Sequence, residues 1–266
     1  MSTDTRLGTQ SEEIRRRHAR QRLVSMLTAP FWVSASVVLM TFWFRYKIAD
    51  VGTVRARYRA LRAQSDGPIL VCANHLTLVD SFLIAWACGG IGYWLTHPDE
   101  LPWNTPERMN FSKTWVHRAL IYAAKCIPIT RGGAREDVGD VLERVKHLME
   151  RGETALIFPE AGRSRSGRVE ESSAAWGVGR IVGAHPNCRV LCVYARGRAQ
   201  DTWGDFPAKG DTLDVSLTCI EPKSDAKGVR RSRDLAGQII RQLMNMEAAH
   251  FEARGEVGAA GPEEAR

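Results

Sequence analysis

The sequence predicts an α/β fold, a mixed, mainly parallel sheet flanked by helices, with an N-terminal membrane-associated helical segment. Three observations carry that expectation. Short apolar runs bounded by polar turns recur at residues 69–73, 155–158, 190–195 and 213–220. Between them lie longer segments whose apolar residues repeat at the helical period. Ahead of all of these, residues 23–44 contain no charged side chain.

The first 22 residues are polar and basic, with Arg15, Arg16, Arg17, Arg20 and Arg22 close together. The uncharged run that follows is long enough to cross a hydrocarbon core, which takes about 20 apolar residues. It is too long for a cleaved signal peptide. Phe31, Trp32, Phe42, Trp43 and Phe44 put rings near one end and near Pro30, as at a membrane interface. Two membrane geometries stay open: one spanning helix, or a helical pair broken at Pro30 that enters a single leaflet. A merely buried helix competes with both. Arg45 and Lys47 close the run, so both flanks are basic and charge assigns no orientation.

Residues 69–73 read as a strand and 79–88 as a helix stopped by Gly89-Gly90. Residues 91–95 read as a short strand. Residues 111–126 read as a helix with Trp115, Leu120 and Ile121 on its apolar face, and 127–130 as an extended piece. The clearest helix covers 136–151. Val138, Val141, Leu142, Val145, Leu148 and Met149 keep its period, and Gly152 ends it. Strands follow at 155–158, 190–195 and 213–220, then an amphipathic helix at 234–251 with Leu235, Ile239, Leu243 and Met246 on one side. The composition of residues 253–266 predicts disorder. In such a fold the loops after the strands are where a site is expected.

The chain has 266 residues, 44% hydrophobic and 25% charged, which suits a sizeable core and excludes wholesale disorder. A net charge of +7 points to anionic partners. The six cysteines form no CxxC pair, and no histidine stands at zinc-finger spacing, so reduced thiols in a core are expected and no metal site.

Three stretches carry chemistry. The strand at 69–73 runs into Asn74-His75-Leu76-Thr77-Leu78-Val79-Asp80. Five residues along a helix would put His75 and Asp80 on different faces. They meet only if His75 lies in the turn before the helix and Asp80 in its first turns. An aspartate there holds one ring nitrogen and leaves the other free as a base. The second stretch, Ile127-Pro128-Ile129-Thr130-Arg131-Gly132-Gly133, ends an extended piece in one arginine. The third, Phe158-Pro159-Glu160-Ala161-Gly162-Arg163-Ser164-Arg165-Ser166-Gly167-Arg168, sends a strand into a loop of one carboxylate, three arginines and small residues. Guanidinium groups beside hydroxyls and free N–H groups suit a phosphate.

In this order the stretches resemble the glycerolipid acyltransferase family, which includes the 1-acylglycerol-3-phosphate and glycerol-3-phosphate acyltransferases. Residues 74–80 match its His-x4-Asp motif with the preceding Asn. Residues 127–131 resemble its second block, and Phe158 to Ser164 its Phe-Pro-Glu-Gly-Thr-Arg-Ser block. Residues 190–194 stand where a fourth, strand-like block is expected. The likeness covers about residues 60–200. Ala161-Gly162 replaces the usual Gly-Thr, and the fourth block lacks its proline.

The resemblance implies direct acyl transfer from a thioester to a hydroxyl. His75 is the base and Asp80 its orienting acid. Glu160 binds acceptor hydroxyls and Arg131 and Arg163 hold the acceptor's phosphate, with Ser164 also in the acceptor site and Arg165 and Arg168 as further candidates. The donor is acyl-CoA or acyl carrier protein, and the acceptor lysophosphatidate or glycerol 3-phosphate. No cofactor, metal or nucleic acid is implied. The chain then divides into a basic arm and membrane segment (1–55), the acyltransferase domain (56–225), and a C-terminal helix with its tail (226–266). It is expected on an anionic membrane with the catalytic domain facing the cytoplasm. Alternatives stay open: a non-glycerol lyso-lipid acceptor, a non-catalytic lipid-binding member, or a hydrolase with Cys72 as nucleophile.

Overall fold

The computed structural model describes residues 3–65, 67–111, 114–130 and 132–255. The tail from residue 256 lies outside the described residues. Helix α1 (Thr3–Val38) runs straight on into a π-helical turn, Leu39–Trp43. It passes through Pro30 unbroken, so the pair of helices hinged at that proline does not form. His18, Gln21, Ser25, Ala29, Val33 and Met40 are buried. Their spacing of mostly three or four residues is one helix face, laid along the rest of the fold. Leu23, Leu27, Phe31, Phe42 and Trp43 remain exposed.

The chain then forms β1 (Lys47–Ile48), α2 (Val51–Ala63), β2 (Ile69–Ala73), α3 (Asp80–Cys88), α4 (Ile91–Thr96), β3 (Trp103–Asn104), α5 (Arg108–Phe111), α6 (Trp115–Ala123), α7 (Arg135–Glu150), β4 (Ala155–Ile157), α8 (Trp176–Ala184), β5 (Arg189–Gly197), β6 (Thr212–Ile220) and α9 (Gly228–Ala253). The sheet order is β1-β6-β5-β2-β4-β3, parallel throughout except for the β5–β6 pair. The mixed, mainly parallel α/β fold is therefore the one expected.

Strand alternation splits the core into two layers. Leu70, Cys72, Val190 and Cys192 join the apolar faces of α7, α8 and α9. Ile69, Val71, Ala73, Leu191 and Val193 face α1, α2, α3 and α4. Burial on both faces explains why these strands read as unbroken apolar runs.

Two expectations fail locally. Residues 91–95 form a helix, α4, and not a strand. A five-residue apolar run has no period of its own, and its partners decide. As a helix it sets Tyr93 and Trp94 against Tyr58, with ring centroids 6.1 and 5.8 Å away, and lets Trp94 Nε1 donate to the Ala85 carbonyl. Gly89 is required there by close approach, since a Cβ would lie 2.5 Å from the Trp94 ring. The helix expected over 111–126 is shorter, and Trp115 and Leu120 on it are exposed.

Candidate active site

β2 ends in the middle of the sheet, and its exit turn holds the first motif. Asn74 fastens that exit: its side-chain amide donates to the Ala195 carbonyl at 3.0 Å and accepts from the Ala195 N–H at 2.8 Å. It thus extends the β2–β5 ladder by one side chain. His75 follows in the turn, and Asp80 is the first residue of α3. Their contact is 3.0 Å, from Nδ1 to Oδ2. The same oxygen accepts the backbone N–H groups of Leu76 and Thr77 at 2.6 and 2.7 Å. Thr77 Oγ1 donates to the other oxygen. Asp80 is thereby locked, and a carboxylate on Nδ1 leaves Nε2 as the nitrogen for chemistry. The imidazole also stacks on Phe158, centroids 4.0 Å apart and nearly parallel.

The ring lines a cavity of about 490 Å³. Its walls are largely apolar: Trp32 from α1, Leu39 from the π-helical turn after it, Phe82 from α3, and Leu120 and Ile121 from α6. Arg163 stands at its polar edge and also lines a second recess of about 230 Å³ with Glu160, Ser164, Arg165 and Glu170. An apolar cavity that holds His75 and a charged recess therefore adjoin at Arg163.

Glu160 is buried and accepts the His75 backbone N–H at 3.0 Å. Burial pushes its carboxyl up to about 8, the His75 N–H opposes this, and the nearby Glu247, Asp80 and Glu170 carboxylates add to it. The two motif loops are also joined by the Ser164 N–H, which donates to the His75 carbonyl at 2.9 Å. Ser164 Oγ is occupied with the backbone of Arg168, closing the loop at 164–168. Arg163 donates to the Gly204 carbonyl and to Asp205, both at 2.8 Å. Arg165 is exposed beside the recess, its Cζ 5.0 Å from the Trp203 ring centroid. Arg168 turns away onto Phe251 of α9, 3.6 Å from the ring centroid. Arg131 lies outside the described residues.

Cys72 sits in the helix-packed core with no exposure, and burial holds its thiol well above the usual range. A thiolate nucleophile needs the opposite environment. All six cysteines are free thiols, as composition predicts.

Sequence reading missed Trp203, Asp205 and Glu247. Glu247 is buried on α9, accepting from the Val169 N–H at 3.1 Å and Tyr194 Oη at 3.2 Å. Its only signal was a carboxylate on the apolar side of an amphipathic helix. Trp203 and Asp205 stand in the run Trp203-Gly204-Asp205-Phe206-Pro207, where large rings in a turn-rich loop were the available sign.

Ala161 shows the cost of one motif departure. Its φ of +53° is left-handed, where the family block carries glycine. An L-residue there costs roughly 1–2 kcal/mol. Against this, glycine adds roughly 0.4–1 kcal/mol of unfolded-chain freedom. Ala161→Gly is expected to stabilise the protein by about 0.5–1 kcal/mol, read as a higher urea midpoint at unchanged slope.

The class these features define is an α/β enzyme with its site at the carboxyl ends of parallel strands. The family model described as Acyltransferase matches residues 55–195, more than half of the chain, and the chain belongs to that family. It is a lipid acyltransferase, working with an acyl donor and a lipid acceptor, and the resemblance read from the three motifs holds. A comparison with curated proteins finds no match.

Proposed function

We propose that the protein moves a fatty acyl group from acyl-CoA or acyl carrier protein to the free hydroxyl of a phosphorylated glycerolipid precursor, lysophosphatidate or glycerol 3-phosphate. The observation that carries this is the His75–Asp80 pair on the wall of an apolar cavity that adjoins an arginine recess. His75 Nε2 takes the proton of the acceptor hydroxyl as its oxygen attacks the thioester carbonyl. Asp80 holds the imidazolium that results. Collapse of the tetrahedral intermediate expels the thiolate, which regains a proton from His75. The acyl chain fills the cavity between α1 and α6. Arg163 and Arg165 hold the acceptor phosphate, with Arg131 assigned beside them by the family motif alone, and Glu160 binds acceptor hydroxyls. Residues 56–225 are the catalytic unit.

The exposed face of α1 is proposed to lie in one leaflet, with the catalytic unit on the cytoplasmic side. Supporting this, residues 12–43 are apolar enough to cross a membrane, with mean hydropathy 1.8 over the best window, yet one face packs on the protein along its length. Washing with high salt is expected to leave the protein on membranes, and detergent to release it.

The testing experiment offers detergent-solubilised protein acyl-CoA or acyl carrier protein thioesters with glycerol 3-phosphate, lysophosphatidate or a total lipid extract. Mass spectrometry reads the ester. A new ester on a phosphorylated glycerol acceptor supports the reading. An ester only on another lipid overturns the acceptor, and no ester overturns the activity.

Glu160 adds a pH signature. With its carboxyl pushed up to about 8, it is neutral at pH 7 and ionises beside the recess as pH rises. The folded state then holds a proton that the unfolded state gives up near the ordinary value, so this group's contribution to stability falls from about pH 4.5 to 8. KM for a phosphorylated acceptor is expected to climb above pH 8. In Glu160→Gln that climb disappears, because the amide stays neutral.

A further inference from the structure

A strap after β5, residues 202–210, crosses both motif loops. The Gly204 N–H donates to the Leu76 carbonyl at 3.0 Å, and the Leu78 N–H to the Asp205 carbonyl at 3.1 Å. Thr202 Oγ1 donates to the Arg165 carbonyl at 3.3 Å. Farther along, Tyr46 Oη donates to the Pro207 carbonyl at 2.9 Å, and Phe206 stacks on Phe44 with centroids 5.3 Å apart. The strap is thus held to the His75 turn, to the arginine loop and to the exit of α1.

Its first residues meet the two recess arginines. Arg163 Cζ is 4.8 Å, and Arg165 Cζ 5.0 Å, from the centroid of the same Trp203 ring. Two like charges share one indole, whose negative π-face attracts both. Arg163 is further pinned by the buried-side Gly204 carbonyl and by the Asp205 carboxylate. The Asp205 side chain is 64% exposed against 22% for Arg163, so it leaves for solvent without breaking a core contact.

We propose that Trp203 is a positioning residue that holds Arg163 and Arg165 together, and that Asp205 is a resident counter-ion which an anionic acceptor displaces. This rests on the reading of Arg163 as a ligand of the acceptor phosphate. With the recess empty, Asp205 neutralises Arg163. An incoming phosphate monoester takes that place while the Gly204 carbonyl and the indole keep the guanidinium in register. An uncharged hydroxyl compound has no group to exchange for the carboxylate. The strap therefore selects for an anionic acceptor, and it does so without touching the His75–Asp80 pair.

The test is equilibrium binding of glycerol 3-phosphate to the full chain in detergent, with glycerol as the uncharged control and palmitoyl-CoA as the donor control. Asp205→Asn is expected to tighten glycerol 3-phosphate by about 2- to 5-fold, the upper part of the range of an exposed ion pair. Trp203→Ala is expected to weaken it by about 5- to 10-fold, and Trp203→Phe to restore most of the loss. Palmitoyl-CoA affinity and the unfolding midpoint stay at wild-type values in all three, and in turnover the change falls on acceptor KM with kcat kept. Unchanged or weaker binding by Asp205→Asn overturns the counter-ion role. Equal losses for donor and acceptor in Trp203→Ala, without rescue by phenylalanine, overturn the positioning role. Arg163→Gln separates the two levels. If it leaves glycerol 3-phosphate binding intact, or if wild type binds neither glycerol 3-phosphate nor lysophosphatidate in the same assay, the phosphate reading itself fails and the proposal with it. If Arg163→Gln abolishes binding while the strap variants change nothing, the strap proposal alone fails.

Discussion

His75→Ala is expected to slow ester formation by roughly 10²–10⁴-fold, the usual worth of a positioned general base, the role proposed for this histidine. Palmitoyl-CoA affinity is expected to stay near wild type, because the imidazole is one of many groups that line the cavity, most of them apolar side chains on other elements. Asp80→Asn is the sharper variant. Asp80 Oδ2 accepts the Leu76 and Thr77 N–H groups as well as the His75 nitrogen. An asparagine oxygen in the Oδ2 place keeps all three of these bonds, and its amide nitrogen then meets Thr77 Oγ1, so what is lost is the negative charge that holds the imidazolium. A loss of roughly 10²–10⁴-fold is expected with an unchanged unfolding midpoint. The measurement is single-turnover transfer to the acceptor that wild type uses. Activity within tenfold of wild type in His75→Ala removes the base from His75 and returns the family's chemistry to another group.

How much of this is legible in the sequence depends on where the information resides. β2 was bounded correctly because five apolar residues lie between Pro68 and Asn74, and nothing else in that stretch competes. α7 was legible because its period runs for four turns and its stop is Gly152, whose φ of +79° suits glycine. The two-residue strands β1 and β3 were not legible, since only their partners define them. The short apolar run at α4 was misread for the same reason. In the candidate site, His75, Asp80, Glu160 and Arg163 came from local motifs, and the structure brings them together around two adjoining hollows. Ser164 and Arg168 carried the right chemistry, but their polar groups are used on the loop itself and on α9. Asp205 is 42 residues from Arg163 and shares no spacing rule with it, so only the fold reveals the pair.

The same limit applies to what seats α1. Glu153→Gln is expected to destabilise the fold by about 3–5 kcal/mol, the cost of removing one partner from a buried ionic cluster. Glu153 is 2% exposed, two residues ahead of β4. It accepts from Trp103 Nε1 and contacts His18 Nε2, both at 2.7 Å, and lies 3.5 Å from Arg22 and 3.9 Å from Lys125. Burial raises its carboxyl, but the bonds from His18 and Trp103 and the nearby charges outweigh this and leave it below the ordinary range. Its contribution is thus present above the unfolded value and lost as pH falls through the lower folded one. Burial also lowers buried Lys125 to about 8, and a neutral glutamine takes away its nearest carboxylate, leaving the Pro98 and Leu101 carbonyls, the Trp103 ring and the charge of Asp99 to hold that cation. His18 and Arg22 belong to α1, whose later turns supply Trp32, Ala35 and Ser36 to the cavity. Loosening the cluster is therefore expected to weaken acyl-donor binding along with stability. Denaturant unfolding of Glu153→Gln and of Glu153→Gln with Lys125→Met decides it. Recovery of a large part of the loss in the double variant identifies the unpaired cation as the cause. A single-variant loss under about 1 kcal/mol would mean that apolar packing at Ala29, Val33 and Met40 holds α1 without the cluster.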